Sequence, residues 1–534
     1  MINKGLKREM SRLDLTMASL GAIIGSGWLF GSLFAANDAG PSAIISWIIG
    51  GIAVLLIGLV YAELGGMLPE AGGIARYPHY SHGSLTSFIM GWGAWIAYAS
   101  VPAIEAEAVV QYASHYIPSI YNPAVGLIQG GGIALAAALM LVFFIINYFG
   151  VRLFARVNTV VTAVKFIMPS LTVIIFVIGG LHWGNFSSHG FAPGGTSGVL
   201  QAVATSGVVF AYLGFRQAVD LAGEAKNPQR DVPSAIITAI GIGIVLYVLL
   251  QVVFIGGVAP GALSGGWAKL AFSAPMAQVA TALNLGWLAV LLYADAVISP
   301  AGTGNIYIAS TARVIYALAQ NRYFPKVLGK IDEKTGIPYA SLWVAFILGL
   351  IFLLPFPAWQ SLVGLVSSAT VFTYAIGPVS AAVLRRTHPD AKRPYKLGGM
   401  SVIAPVAFVV ASLIIYWTGW NIDWKLLVTL LLGVVLYLVF SAAMPNEIER
   451  PDAKSIGAGI WLVVYLLFML AMSYFGSARF GAAANGGKGL IHYPLDLIVV
   501  VVFSLVFYYW GVASGLHTQL ADEAVQAVAI EAGD

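Results

Sequence analysis

The sequence predicts an all-α integral membrane protein of about fourteen spans, and three observations predict it. Of 534 residues, 59% are hydrophobic and 9% charged, with a mean hydropathy of +0.86; a water-soluble core of this size does not need so few charges. Apolar stretches of about twenty residues, the length that crosses a bilayer, recur along the chain. The basic residues alternate between successive loops, as orientation in a membrane requires.

Taken in order, the candidate spans begin near Leu13, Pro41, Leu85, Leu127, Val160, Val199 and Ser234, then near Met276, Tyr339, Ser361, Val402, Leu426, Gly457 and Tyr493. The N-terminus is basic, but the apolar stretch after it is too long for a signal h-region, so it reads as a retained first span. With that terminus inside, the outer loops hold only Lys269, Lys425, Arg479 and Lys488. The inner side holds the others, among them Lys4, Lys7, Arg152, Arg156, Arg313, Lys334, Arg385 and Arg386. An even number of spans returns the C-terminus to the same side, which predicts a multi-pass inner (plasma) membrane protein with both termini cytoplasmic. The tail after His517, with Asp522, Glu523 and Glu531, reads as a short solvated end. The formal charge of +4 does not point to nucleic acid, given where the basic residues fall. With no cysteine, a disulfide framework and a thiolate metal site are both excluded.

Two spans contain breaks. Gly25-Ser26-Gly27 stands inside GAIIGSGWLFG, midway along the first span. At that depth every N–H and C=O needs a partner, so unwound backbone is tolerable only against protein or a cavity. The second interruption is in FAYLGFRQAVDLAG of the sixth span, around Gly214 and the charged Arg216. Interrupted helices five spans apart are the pointer to inverted repeats with a ligand site at the midplane. That reading divides the chain into an N-terminus at 1–12, a ten-helix core at 13–386 with repeats of about 13–183 and 199–386, four peripheral helices at 400–514, and a tail at 515–534.

Several blocks carry a resemblance. GAIIGSGWLFG with Ala39 to Pro41, YAELGGMLPEAGG from Tyr61, FAYLGFRQAVDLAGEAKNPQRDVP from Phe210 and TARVIYALAQNRYFPKVLGKIDEKTGIPYASLW from Thr311 occur in this order. They resemble the corresponding blocks of the amino acid-polyamine-organocation (APC) permeases of bacteria, across roughly the first ten spans. The resemblance implies the five-plus-five inverted-repeat fold of the LeuT type and ion-coupled amino acid transport by alternating access. It implies a small-molecule amino acid and protons as partners besides the lipid bilayer, no cofactor, and a monomer or homodimer. The overall pattern is similar to the family's amino acid-proton symporters, aspartate carriers among them.

The physics of the breaks assigns roles. Where a helix unwinds, N–H groups lose their acceptors and the following half-helix presents partial positive charge. The backbone of Ile23, Ile24, Gly25, Ser26 and Gly27 is therefore assigned to a substrate α-carboxylate, with the Ser26 hydroxyl as an extra donor. Carbonyls near Phe210, Ala211 and Leu213 are assigned to the α-ammonium, where the resemblance also implies amino-group contacts, and Phe210 or Tyr212 to closure over the ligand. The plainer reading is that these glycines only permit close helix packing.

Lys165 lies in RVNTVVTAVKF, about 12 Å along its helix from the membrane face. The resemblance implies that such a fifth-span lysine stands where sodium-coupled relatives hold a cation, coupling transport to protons; the alternative is a side chain snorkelling to the headgroups. Arg216 departs from the family pattern, which is commonly acidic or small there. Its fork fits a second substrate carboxylate, favouring aspartate or glutamate. Alternatively it pairs with Asp220, Glu105 or Glu107, and the two glutamates are also candidate proton carriers. Asp295, with Ser299, Thr303 and Asn305, offers oxygen ligands for sodium or, more plainly, a bond to Lys165 or another helix-to-helix hydrogen bond. His79 and His82 fall in a loop, no histidine pair has metal-ligand spacing, and no metal site is expected. Trp92, Trp95 and Tyr98 read as packing or interface anchors. No P-loop, nucleophile elbow or zinc signature is present, which argues against a pump or an enzyme, and no carbonyl-filter sequence suggests a channel. The remaining alternative is a sodium-coupled or exchange carrier of neutral amino acids or other organocations.

Overall fold

A computed structural model describes residues 8, 10–70, 72–122, 126–149, 151–332, 335–354, 359–480 and 487–531, without the side chains of 151–160, 361 and 531. Lys4, Lys7 and Lys334 and the side chains of Arg152 and Arg156 lie outside the described residues. The chain is built of helices, in the order α1 (Arg12–Ile23), α2 (Gly27–Ala39), α3 (Ala43–Met67), α4 (Gly73–His82), α5 (Ser84–Ala113), α6 (Gly130–Tyr148) and α7 (Val151–Gly179). Next come α8 (Gly195–Thr205), α9 (Val208–Tyr212), α10 (Arg216–Asp220), α11 (Pro228–Gly257), α12 (Pro275–Ala282) and α13 (Gly286–Gln320). The remainder are α14 (Tyr339–Phe352), α15 (Trp359–Thr387), α16 (Met400–Thr418), α17 (Trp420–Ala443), α18 (Ala453–Phe475), α19 (Leu495–Ser514) and α20 (Gln519–Glu531). Among the described residues the only strands are the short antiparallel pair Tyr121–Asn122 and Leu127–Ile128.

Eleven helical stretches among the described residues are long and apolar enough to cross a membrane, or up to twelve when the bent pair is one span. The sequence places the eighth span too early. Residues near Met276 form the separate α12, and the long helix begins only at Gly286.

The first break falls where the sequence places it. Ser11 and Asp14 form a capping box that starts α1. The helix ends at Ile24 (φ −85°, ψ 88°), and α2 begins at Gly27. The second break differs from expectation. The bend, 45°, lies at Ser206–Gly207 rather than at Gly214. Gly207 has φ +88°, a conformation that costs glycine little. Gly214 sits instead in a 3₁₀ turn, Leu213–Phe215, that carries the helix on toward Arg216. Its absent side chain serves contact: a Cβ there would lie 2.4 Å from the Ile23 nitrogen and 2.5 Å from the Ala22 carbonyl carbon. The two interrupted segments therefore touch at the end of α1.

The most extensive helix contacts are α3 with α11 and α5 with α13. Buried ion pairing ties α3 to the end of α15 and to the link that follows it. Glu63 accepts from Arg385 Nε at 2.7 Å, Arg385 Nη2 at 2.6 Å and the Leu397 amide at 2.7 Å, with Arg393 Nε at 3.5 Å.

The tail corrects a further expectation, because α20 docks rather than standing free. Ala521 and Ala524 are buried, Val525 and Val528 are packed beside them, and the segment contacts α4. Apolar residues at this 3-4-7 spacing make one helical stripe. The preceding link is pinned by the Leu516 amide to the Ser81 carbonyl at 2.7 Å and by Thr518 Oγ1 to the Tyr80 carbonyl at 2.8 Å.

Candidate functional site

The break in the first span is met by side chains from five other helices. The Ser26 amide donates to Glu105 Oε2 at 2.9 Å, so a carboxylate from α5 lies at the N-terminus of α2. A carboxylate is the group that the partial positive charge of a helix start favours. The Ser26 hydroxyl accepts from Trp359 Nε1 of α15 at 2.8 Å, and the Ile23 carbonyl accepts from the Tyr247 hydroxyl of α11 at 2.8 Å. Gly25 leaves room for its neighbours: a Cβ there would lie 2.8 Å from both Glu105 Oε1 and Thr303 Oγ1.

Lys165 of α7 closes the other side of the break. Its Nζ donates to the Gly21 carbonyl at 2.6 Å and to Thr303 Oγ1 of α13 at 2.6 Å. The ammonium is 1% exposed, which rules out the snorkelling alternative. It stands at the C-terminal end of α1, where freed carbonyls make a cation favourable. Asp295 accepts instead from Ser299 Oγ on its own helix at 2.8 Å, so the expected bond to Lys165 is not formed. Asn305 bonds Asn147, one helix away from this cluster.

Arg216 opens α10 and is fully buried. Its guanidinium carbon lies 3.5 Å from the Tyr98 ring centre and 5.1 Å from that of Tyr307, a cation seated on aromatic faces. Nε and Nη1 have no hydrogen-bond partner. Asp220, offered as an ion-pair partner, instead accepts from the Tyr98 hydroxyl. Arg216 and Glu105 line the same cavity of about 10 Å³, together with Ile23, Phe210, Thr303 and Tyr307. That is room for roughly one water molecule, so any larger ligand enters only as these walls separate. Glu107, on the same helix as Glu105, is buried with both carboxyl oxygens unpartnered, and it does not line the cavity.

Aromatic side chains bound the site. Trp359 packs on Phe30 at 5.1 Å, Phe34 at 5.5 Å and Phe210 at 6.1 Å between ring centres. On the other side of the second break the Tyr374 hydroxyl donates to the Leu213 carbonyl at 2.7 Å. The Phe210 carbonyl accepts from the Leu213 amide. Of the carbonyls assigned to an α-ammonium, those two already carry a donor. Tyr212 faces away from the cavity, stacked edge-on against Trp47 and Tyr247.

Ile23, Gly25, Phe210, Leu213, Arg216, Glu105 and Lys165 are thus gathered around one point, with Ile24, Ser26, Gly27 and Ala211 in the adjoining backbone. Sequence reasoning missed Tyr98, Trp359, Tyr247 and Tyr307. For two of them a signal was present. Tyr98, Val101 and Glu105 share one face of α5, and Asp295, Ser299, Thr303 and Tyr307 recur every fourth residue on α13.

A helical membrane core with unwound backbone, buried unsatisfied cationic donors and a carboxylate at one small central cavity defines a carrier for a small polar solute. The chain belongs to the amino acid permease family, whose profile it matches over residues 10–436. It is 43% identical over 525 residues to the glutamate/serine transporter AimA of Bacillus subtilis, covering 97% of this chain and 96% of that one. It is 42% identical over 518 residues to the aspartate-proton symporter of the same organism, covering 97% and 98%. The branched-chain amino acid permease BcaP is more distant, at 28% over 453 residues, covering 82% and 94%. The chain is an amino acid transporter of the membrane, not an enzyme.

Proposed function

We propose that this chain takes up aspartate or glutamate by proton symport through alternating access. The observation that carries the acidic preference is Arg216: two buried N–H groups without a partner, at a cavity shared with the broken helix α1. A second carboxylate satisfies both through parallel charge-assisted bonds, whereas a neutral side chain leaves them stranded. The names of two relatives, one a glutamate/serine transporter and one an aspartate-proton symporter, agree with an acidic cargo.

Proton coupling rests on Glu105 and Lys165. Glu105 accepts from the amide assigned to the substrate α-carboxylate. Two carboxylates competing for one donor exclude each other while both are charged. A proton on Glu105 removes the competitor, so proton and substrate promote one another's binding, which is the reciprocity a symporter needs. Lys165 supplies positive charge at the Gly21 carbonyl, a place suited to a metal cation, and so leaves no call for sodium there. Glu107 extends the set of proton-holding groups, and the substrate ammonium takes the Ala211 carbonyl and the remaining lone pairs of the Phe210 and Leu213 carbonyls.

The architecture that goes with this reading has fourteen spans, counting α1 with α2 and α8 to α10 as one each and including α14. Spans one to ten form five-plus-five inverted repeats of the LeuT type, at about 13–183 and 199–386, followed by four peripheral spans at 400–514. The breaks in spans one and six support it, as does the packing of α3 on α11 and of α5 on α13, each pair five spans apart. Both termini are placed in the cytoplasm.

The test is uptake of labelled aspartate into proteoliposomes under separately imposed pH and sodium gradients. An inward proton gradient is expected to drive accumulation, with glutamate competing and lysine not. Uptake that follows sodium and ignores pH overturns the coupling; stronger competition by leucine than by glutamate overturns the cargo.

A further inference from the structure

Far from the transport site, on the face that carries the C-terminus, three side chains converge from different parts of the chain. His388 follows the last residue of α15, His517 lies in the link before α20, and Asp522 stands in the first turn of α20. His388 Nε2 is 3.0 Å and His517 Nε2 2.7 Å from the same oxygen, Asp522 Oδ1, and the three ligand atoms lie within 4.8 Å of one another. The two imidazole rings stack with centres 4.8 Å apart.

Thr387 has one hydroxyl proton, and it is given to the Val383 carbonyl at 3.0 Å. The 2.8 Å contact between Thr387 Oγ1 and His388 Nδ1 therefore takes its hydrogen from the imidazole. In a neutral ring that leaves a lone pair on Nε2, aimed at a carboxylate oxygen. Only a positive charge between them reconciles the two. A second proton on His388 would serve, with His517 donating from a neutral Nε2–H; a metal ion that takes one lone pair from each of the three groups serves equally and uses all three at once.

We propose that His388, His517 and Asp522 bind a zinc ion that fastens α20 to the end of α15. Two imidazoles and a carboxylate are a recognised ligand set for zinc, with a fourth position left to water. Bonds of about 2.0–2.1 Å in a tetrahedron set ligand atoms about 3.4 Å apart. The observed contacts reach that by small movements of His517 and Asp522, whose side chains are 57% and 49% exposed. His388 is the fixed member, 8% exposed and oriented through Nδ1 by Thr387 and Val383, the outer support that zinc-binding histidines characteristically have. The adjacent Arg386 is turned away, its Nη2 donating to the Gly515 carbonyl at 2.7 Å. The ion adds a metal clasp to a tail already resting on α4. Composition gave no hint of it, because 129 residues separate the two histidines.

The experiment uses the full chain, purified without a polyhistidine tag and held in lipid nanodiscs, dialysed against micromolar free zinc and assayed for bound metal. One zinc per chain is expected. His517→Ala and Asp522→Asn, both on the exposed tail, should abolish it without disturbing the core. Thr387→Val, which keeps all three ligands, should weaken binding about 10- to 100-fold. Zinc should also slow proteolysis within α20 in the unaltered chain alone. Absence of bound zinc, or equal binding by a His388→Ala/His517→Ala double variant, overturns the proposal. Protection of α20 that depends on pH but not on zinc also overturns it, and assigns the clasp to protonated histidine.

Discussion

Replacing Arg216 by alanine should convert an acid-selective carrier into one that barely distinguishes aspartate from serine. The magnitude follows from two N–H groups, Nε and Nη1, that have no partner within the protein. A hydrogen bond to a charged group contributes about 1.5–3 kcal/mol, so two contribute at least about 3 kcal/mol to a dicarboxylate and nothing to serine. At about 1.4 kcal/mol per decade, the aspartate-to-serine affinity ratio should fall about 100-fold or more. Arg216→Lys keeps the charge but not the fork, and should recover about a tenth of the lost ratio. The assay is competition by unlabelled aspartate and serine for uptake in proteoliposomes. Using a ratio within one variant cancels any loss of folded protein, which matters because the guanidinium also seats on Tyr98 and Tyr307. A ratio within threefold of the original in Arg216→Ala would refute the assignment and return the arginine to a purely structural role.

Glu105→Gln retains an acceptor for the Ser26 amide but cannot bind and release a proton, so substrate exchange should persist while accumulation driven by a pH gradient is lost; unchanged accumulation would exonerate Glu105. Gly214→Ala forces a methyl into the backbone of Ala22 and Ile23, which has no flexible end to move, and should lower stability by about 1–3 kcal/mol, read as a drop in melting temperature. The same change should slow transport in the protein that does fold. Burial, joined by Arg76 for His79 and by Arg386 for His82, holds both imidazoles down to about 4. The folded state therefore prefers them neutral. Their stabilising contribution is whole above pH 6.5 and disappears as pH falls from 6.5 toward 4, by at most about 3 kcal/mol for each. Protease sensitivity around α4, measured between pH 7.5 and 4.5, should rise in that window, and His82→Gln should blunt the rise.

The first break was legible because Gly25-Ser26-Gly27 interrupts an apolar run where no helix gains from glycine. The second was misplaced by eight residues or so, since the eye is drawn to the charge of Arg216 while the bend needs only the positive φ of Gly207. Lys165 and Glu105 were found as charges in hydrocarbon, a signal that needs no neighbours. Their partners were not, because Gly21, Thr303 and the Ser26 amide are brought to them by folding. Tyr98 and Trp359 look like ordinary membrane aromatics until Arg216 and Ser26 are seen against them. His82, read as lying in a loop, is the last residue of α4 and is buried with its Nε2 donating to the Gly511 carbonyl at 2.9 Å, a contact across most of the chain.

The carboxylate of Glu63 gives the distal third of the molecule a claim on the proximal part. It is 2% exposed, accepts from Arg385 and the Leu397 amide, and has the Arg393 guanidinium beside it at 3.5 Å; Arg393 and Leu397 both come after α15 has ended. A chain truncated at Arg386 would strip those two away and leave a buried anion under-compensated, a defect of the kind that costs about 3–5 kcal/mol. The link between α15 and α16 is therefore no spare connector: versions of this carrier trimmed directly after α15 need a replacement for Leu397 and Arg393 before they will hold together.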